Sequence, residues 1–204
     1  MSECVKDALI FAQHIIIALD CLEEARAMQS IFSQEKYESQ YKIAPHFYST
    51  AYHAMLFQCQ MEIAKLFDEG GHGAPYTFDR FKNKLCKSNE IGPSYIENYK
   101  LKKRIADKDL QAIKSRRNGY LAHSDEKYFD KPQILFSNEP VNSEAIKSLL
   151  LAMLTICNRV IFNSADYGPV HLYSTYNGDD FVKIFGCKTW YEQDAENYLD
   201  AKKR

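Results

Sequence analysis

The densest chemistry in the chain lies in ten consecutive residues, Arg116-Arg117-Asn118-Gly119-Tyr120-Leu121-Ala122-His123-Ser124-Asp125. They put two guanidiniums, a carboxamide, an imidazole and a carboxylate close together. Such a set suits cleavage of a phosphodiester. A histidine titrating near neutrality takes or gives a proton. An arginine grips a phosphate with two N–H donors and stabilises charge that develops on it. An asparagine orients a ribose or phosphate oxygen. RNA brings its own nucleophile, the 2′-hydroxyl, so no metal is required.

Helix geometry bears on which arginine acts. On a straight helix, residues six apart lie about 120° out of register, whereas residues seven apart nearly align. Arg116 therefore shares a face with His123, and Arg117 does so only if the helix ends before His123 or if the pair is completed across a symmetric dimer. Gly119 eases a distortion there. An isolated arginine and histidine at this spacing is commonplace at a helix end, so the spacing alone decides little.

The ten residues close the most basic part of the chain. From Arg80 to Arg117 there are 12 Lys+Arg against 4 Asp+Glu, a balance of +8, while the remainder carries 14 against 23, a balance of −9, which together give the formal net charge of −1. A solvated helical face accounts for such a run. So does a local phosphate-binding surface, for which Lys102, Lys103, Arg104 and Lys114 are the candidates.

Hydrophobic periodicity assigns helices to nearly all of the chain that must position these residues. Ala8, Phe11, Ile15, Ala18, Leu22 and Ala25 step 3,4,3,4,3 along a long first helix. Leu9, Ile16 and Leu19 widen its apolar face. The polar stretch Phe32 to Tyr41 reads as a connection. Pro45 opens a second helix with the stripe Tyr48, Tyr52, Met55, Cys59, Ile63 and Leu66. Thr77 caps a short helix with Asp79 in its first turn. A long helical stretch from about Tyr95 to Ala122, with a break near Asp107, turns Leu110, Ile113, Tyr120 and Leu121 inward. Asn142 or Ser143 caps a further helix, where Ile146, Leu150, Met153, Cys157 and Val160 step 4,3,4,3 and Leu149, Leu154 and Ile161 broaden the face. Two helices apolar on more than one face leave surface for a partner. The expected architecture is an all-α antiparallel bundle of four or five main helices over residues 1–165, with 166–204 as a C-terminal extension packed on it.

Composition excludes several classes. At 204 residues, with 46% hydrophobic and 26% charged residues, the chain is an ordinary globular domain that needs no disulfide or metal staple. Its six cysteines form no Cys-x-x-Cys pair, and no Cys or His stands at zinc-ligand spacing. They read as buried reduced thiols of a cytoplasmic protein. The first residues do not read as a targeting segment, and the apolar run there is broken by Gln13-His14, so no membrane span is expected from it. No phosphate-binding glycine loop is present, and no cofactor or metal is expected. His46 and His53 share a helix face with Tyr48 and Tyr52 but read as partly buried polar aromatics. Glu62 stands in no Glu-x-x-His pattern, which disfavours a di-iron bundle.

The string Arg117-Asn118-x-x-x-Ala122-His123-x-Asp125 resembles the signature of the HEPN superfamily. With Leu66-Phe67-Asp68 closing the preceding long helix, it is most similar to the branch related to the abortive-infection protein AbiU2, in order over roughly Ala44 to Asn163. The resemblance implies an all-α bundle that pairs as a homodimer with two Arg/His sets meeting near the dimer axis. Catalytic members are metal-independent RNases, which implies 2′,3′-cyclic phosphate ends. By position it assigns Arg117 as clamp, Asn118 as orienting group and His123 as general base or acid; the helix-face argument adds Arg116 as a second clamp, and Asp125 supports His123 where the turn lets it reach. It implies RNA as ligand, an antitoxin protein as partner of toxin-like members, and a setting in antiphage defence. Toxins of this superfamily paired with a nucleotidyltransferase typically carry Tyr two residues after the His, where this chain has Asp125. Other members are non-catalytic interaction modules, which is the alternative reading.

Overall fold

A computed structural model describes residues 2–67, 76–118 and 141–163. Of these, 89% are helical and none is in a strand, so the fold is an all-α bundle. Tyr120, Leu121, His123, Asp125 and the whole of 166–204 lie outside the described residues.

Helix α1, Glu3–Phe32, starts where the Ser2 hydroxyl accepts from the Val5 N–H at 3.3 Å. All six residues of its 3,4 stripe are buried. Repeated alanines (Ala8, Ala12, Ala18) let its neighbours approach closely. The stretch expected as a plain connection is partly helical: a 3-10 turn over Glu35–Tyr37 leads into α2, Glu38–Ile43. An exposed Lys42–Glu38 pair at 2.7 Å and a small core of Ile31 and Tyr37 support it, features that its polarity hid.

Helix α3, Pro45–Phe67, returns along α1. Only its last third enters the core, through Cys59, Ile63 and Leu66. Tyr48, Tyr52 and Met55 are half-buried, so the expected stripe fades towards the N-terminus. Helix α4, Phe78–Lys87, is capped by Thr77 as the sequence predicts. It ends at Asn89, whose φ of 56° is left-handed. The Glu90 N–H reaches the Leu85 carbonyl at 3.1 Å and the Asn89 N–H that of Cys86 at 3.4 Å, a Schellman closure with asparagine in place of glycine.

Helix α5, Pro93–Ile105, and helix α6, Asp107–Arg116, are separated at Ala106, next to the expected break. Helix α7, Ser143–Phe162, is capped by Asn142, whose side chain accepts from the N–H groups of Glu144 and Ala145. Its start is fixed to α6, because the buried Asp109 accepts the Asn142 N–H at 2.6 Å. Glu144 and Lys147 pair with Arg26 and Glu23 of α1.

Helix α7 is long and apolar enough to cross a membrane by length and composition. Eleven of its 20 residues are buried in the bundle, the pattern of a core helix. Leu149, Leu154 and Ile161, expected to leave surface for a partner, are among them. The broad face of α7 is thus buried within the chain itself. Rings of Phe11, Phe78, Phe81 and Tyr99 meet at centroid distances of 5.0–5.8 Å and join α1, α4 and α5.

Candidate nucleic-acid groove

Helix α6 separates the two arginines of the motif. Asp109, Leu110, Ala112, Ile113 and Arg116 form its buried side, and Arg116 is only 6% exposed. Arg117, one residue on, is half-buried and lines a groove between α3 and α6. The backbone widens into a π-type turn over Arg117 and Asn118, a distortion frequent at functional sites. The Arg117 N–H is shared between the carbonyls of Ile113 and Lys114. Its side chain is directed by Asn118: Nε and Nη2 both donate to Asn118 Oδ1, at 3.0 and 2.8 Å. Arg117 and Asn118 therefore lie together on the outside, whereas Arg116 faces inward. Their motif partner His123, with Asp125, falls outside the described residues.

The groove has a volume of about 220 Å³. Ile63, Leu110 and Ile113, all buried, and the half-buried Phe67 give it an apolar floor. Lys103, Lys114 and Arg117 supply positive charge at its edge, and Asp107 and Gln111 stand on the same wall. Lys103 and Lys114, two of the four expected RNA-binding residues, are thus brought beside Arg117. Arg104 lines a shallower depression with Lys82, Lys100 and Lys103, and Lys102 does not line the groove.

Part of the basic run is neutralised. Asp79 lies one residue before the window that gave the +8 balance, and it draws in three donors. Lys103 pairs with its Oδ2, while Lys82 at 3.3 Å and the Tyr99 hydroxyl at 3.1 Å reach its Oδ1. Burial pushes the Asp79 carboxyl up, yet the hydrogen bond and charge of Lys103 outweigh it and hold it below 3.8. Lys84 pairs with Glu3 and Asp7 at 3.0 and 3.2 Å. Lys102, Arg104 and Lys114 make no ion pair among the described residues.

One polar centre escaped sequence reasoning. Glu62 is 2% exposed on α3, yet its Oε2 meets His14 Nδ1 of α1 at 2.6 Å and its Oε1 takes hydrogen bonds from Gln58 and Lys65, each at 2.7 Å. Gln58 and Lys65 stand four before and three after Glu62, a local signal of a satisfied buried carboxylate. His14 is 48 residues away and carries no such signal. His46 and His53 are exposed rather than partly buried, and the His53 ring nitrogen bonds the Ser49 carbonyl at 2.7 Å. Cys4, Cys59 and Cys157 are buried thiols, and burial pushes Cys59 up to about 12. Among the described residues no group of three or more His, Cys, Asp or Glu gathers at metal-binding distance.

No curated protein and no solved structure matches the chain. The family model of AbiU2, a HEPN family, matches residues 3–184. It takes in α1 and residues 166–184 of the stretch expected as an extension, beyond the Ala44–Asn163 span over which the resemblance was visible in the sequence. The chain therefore belongs to the AbiU2 family of HEPN domains, whose name ties it to abortive infection.

Proposed function

We propose that the protein is a metal-independent endoribonuclease that acts as a homodimer in toxin-like, antiphage abortive infection. The observation that carries this reading is the groove in which Lys103, Lys114 and the Asn118-held Arg117 meet. Lys114 and Arg117, with Lys103 shared with Asp79, beside an apolar floor suit a single RNA strand better than a duplex. His123, placed by the motif, removes the proton of a ribose 2′-hydroxyl. The freed oxygen attacks phosphorus, the bond from phosphorus to the 5′-oxygen breaks, and that oxygen takes a proton from an imidazolium of the paired site or from water, while His123 returns its own proton to solvent. Arg117 balances the charge that builds on the phosphoryl oxygens. RNA is the substrate, no cofactor takes part, and an antitoxin protein is the partner that a toxin-like role calls for.

Incubation of purified protein with mixed single-stranded RNA, with and without EDTA, tests the reading. Cleavage that survives EDTA, leaves 2′,3′-cyclic phosphate ends and falls about 10²–10⁴-fold in His123→Ala supports it. Equal activity in wild type and His123→Ala overturns it.

A non-catalytic interaction module is the second reading, favoured by α3. From Pro45 to Met61 that helix holds no Asp, Glu, Lys or Arg. Phe47, Thr50, Ala54, Phe57 and Met61 step 3,4,3,4 along it, with Phe47 68% and Phe57 41% exposed. Exposed apolar stripes mark association surfaces, and a second copy of the chain is the occupant that the first reading also needs. Light scattering on wild type and on Phe47→Glu/Phe57→Glu reports whether pairing uses this face. A paired protein with no activity on any RNA favours the module.

A further inference from the structure

The groove holds more than phosphate binding requires. A backbone phosphate is satisfied by cations and N–H donors, yet here the cations border a floor of Ile63, Phe67 and Leu110. A volume of about 220 Å³ falls below the roughly 300–1,000 Å³ of pockets for drug-sized ligands. It suits one flat ring system. Asp107 and Gln111, one turn apart on α6, line the wall and have no hydrogen-bond or ion-pair partner among the described residues. Lys103 lies 5.6 Å from the Phe67 ring centroid and helps to hold that ring in place.

We propose that this groove is a base subsite for single-stranded RNA, and that it prefers guanine. The inference rests on the RNA reading above. The base takes the place of the Lys103 ammonium over the Phe67 ring and packs against Ile63 and Leu110, while Lys114 and Arg117 hold the adjoining phosphate. The Asp107 carboxylate accepts the ring N–H and the exocyclic amino group of guanine together. No other RNA base presents two such neighbouring donors. Gln111 donates to or accepts from the remaining edge.

The test uses the full chain. Binding of 5′-GMP, 5′-AMP, 5′-CMP and 5′-UMP is measured by calorimetry, and cleavage or binding is measured on RNAs differing in one base beside the cut or contact site. GMP should bind at least about tenfold more tightly than UMP or CMP. Asp107→Asn should erase that preference, and Phe67→Ala should weaken all four nucleotides about tenfold or more, in line with the worth of one base–aromatic stack. Phe67 also touches the core, so the exposed Gln111→Ala provides a second variant, expected to narrow the preference with the helical spectrum retained. Equal binding of the four nucleotides, or a guanine preference that survives Asp107→Asn, overturns the subsite even where RNA is cleaved. GMP binding lost in Asp107→Asn, in a protein that cuts no RNA, upholds the subsite and moves the function to the non-catalytic reading.

Discussion

Arg117 and Asn118 are neighbours in sequence whose side chains are bound to each other, with two guanidinium nitrogens on the one carboxamide oxygen at 3.0 and 2.8 Å. In the proposed RNase Asn118 is then a positioning residue for Arg117, its Oδ1 taken by the guanidinium, and only its amide N–H groups could donate to a phosphate oxygen. A hydrogen bond to a charged group is worth about 1.5 kcal/mol, roughly tenfold in rate. Asn118→Ala should lower kcat by about that factor with little change in KM. Arg117→Ala should cost about 10²–10³-fold. Equal losses in single-turnover cleavage would mean that Asn118 itself touches the reacting phosphate.

Arg116 and Arg117 separate stability from activity. Arg116 is buried on the inner side of α6 and Arg117 lines the groove. Arg116→Ala should lower the melting temperature while cleavage per folded molecule stays within a few-fold of wild type. Arg117→Ala should do the reverse, leaving the melt near wild type. Paired melting curves and active-site-normalised rates decide between them. A larger catalytic loss in Arg116→Ala would restore the straight-helix alignment of Arg116 with His123.

Much of the bundle was legible because apolar periodicity and caps are local. The stripe of α1, the Thr77 and Asn142 caps and the break beside Asp107 can all be read from neighbouring residues. What escaped the sequence depends on distant partners. Leu149, Leu154 and Ile161 look like spare surface until α7 is seated in the bundle. The +8 balance looks like an open basic face until Asp79, just outside that window, closes on Lys82 of its own helix and on Lys103 of α5. Helix-face alignment favoured Arg116 and motif position Arg117, and their surroundings are told apart only where α6 buries the first and sets the second in the groove. Phe67, Asp107 and Gln111 come to line one groove only where α3 and α6 meet.

The charged surface should divide in the same way. Each phosphate contact on a single strand contributes about 0.7 to the slope of log affinity against log salt. Lys114→Glu and Arg104→Glu should each flatten that slope, by about one contact's worth or more, without changing the melt. Lys103→Glu should weaken binding and also destabilise the fold, because it sets a second carboxylate beside Asp79. Binding isotherms at several salt concentrations, with a melt of each variant, check this. Variants with wild-type slopes would assign these lysines and arginines to solvated surface.

The His14–Glu62 contact gives a pH prediction with a fixed sign. Burial raises the Glu62 carboxyl, but the hydrogen bonds of Lys65 and His14 lower it further, so it ends below its ordinary 4.5. A group whose pKa is depressed by folding adds stability that is complete above the unfolded value and is lost as pH falls through the folded one. Wild type should therefore lose stability below about pH 4.5, with Asp79 adding to the loss in the same direction below 3.8. Glu62→Gln removes the titration and leaves Lys65 and His14 without their charged acceptor. It should cost about 1–3 kcal/mol at neutral pH. At about 2–4 °C per kcal/mol for a chain of this size, that is a readily measured fall in melting temperature. Its melts should also depend less on pH between 4.5 and 3 than those of wild type. Parallel wild-type and Glu62→Gln curves across that range would show that His14 and Lys65 do not hold the carboxylate ionised.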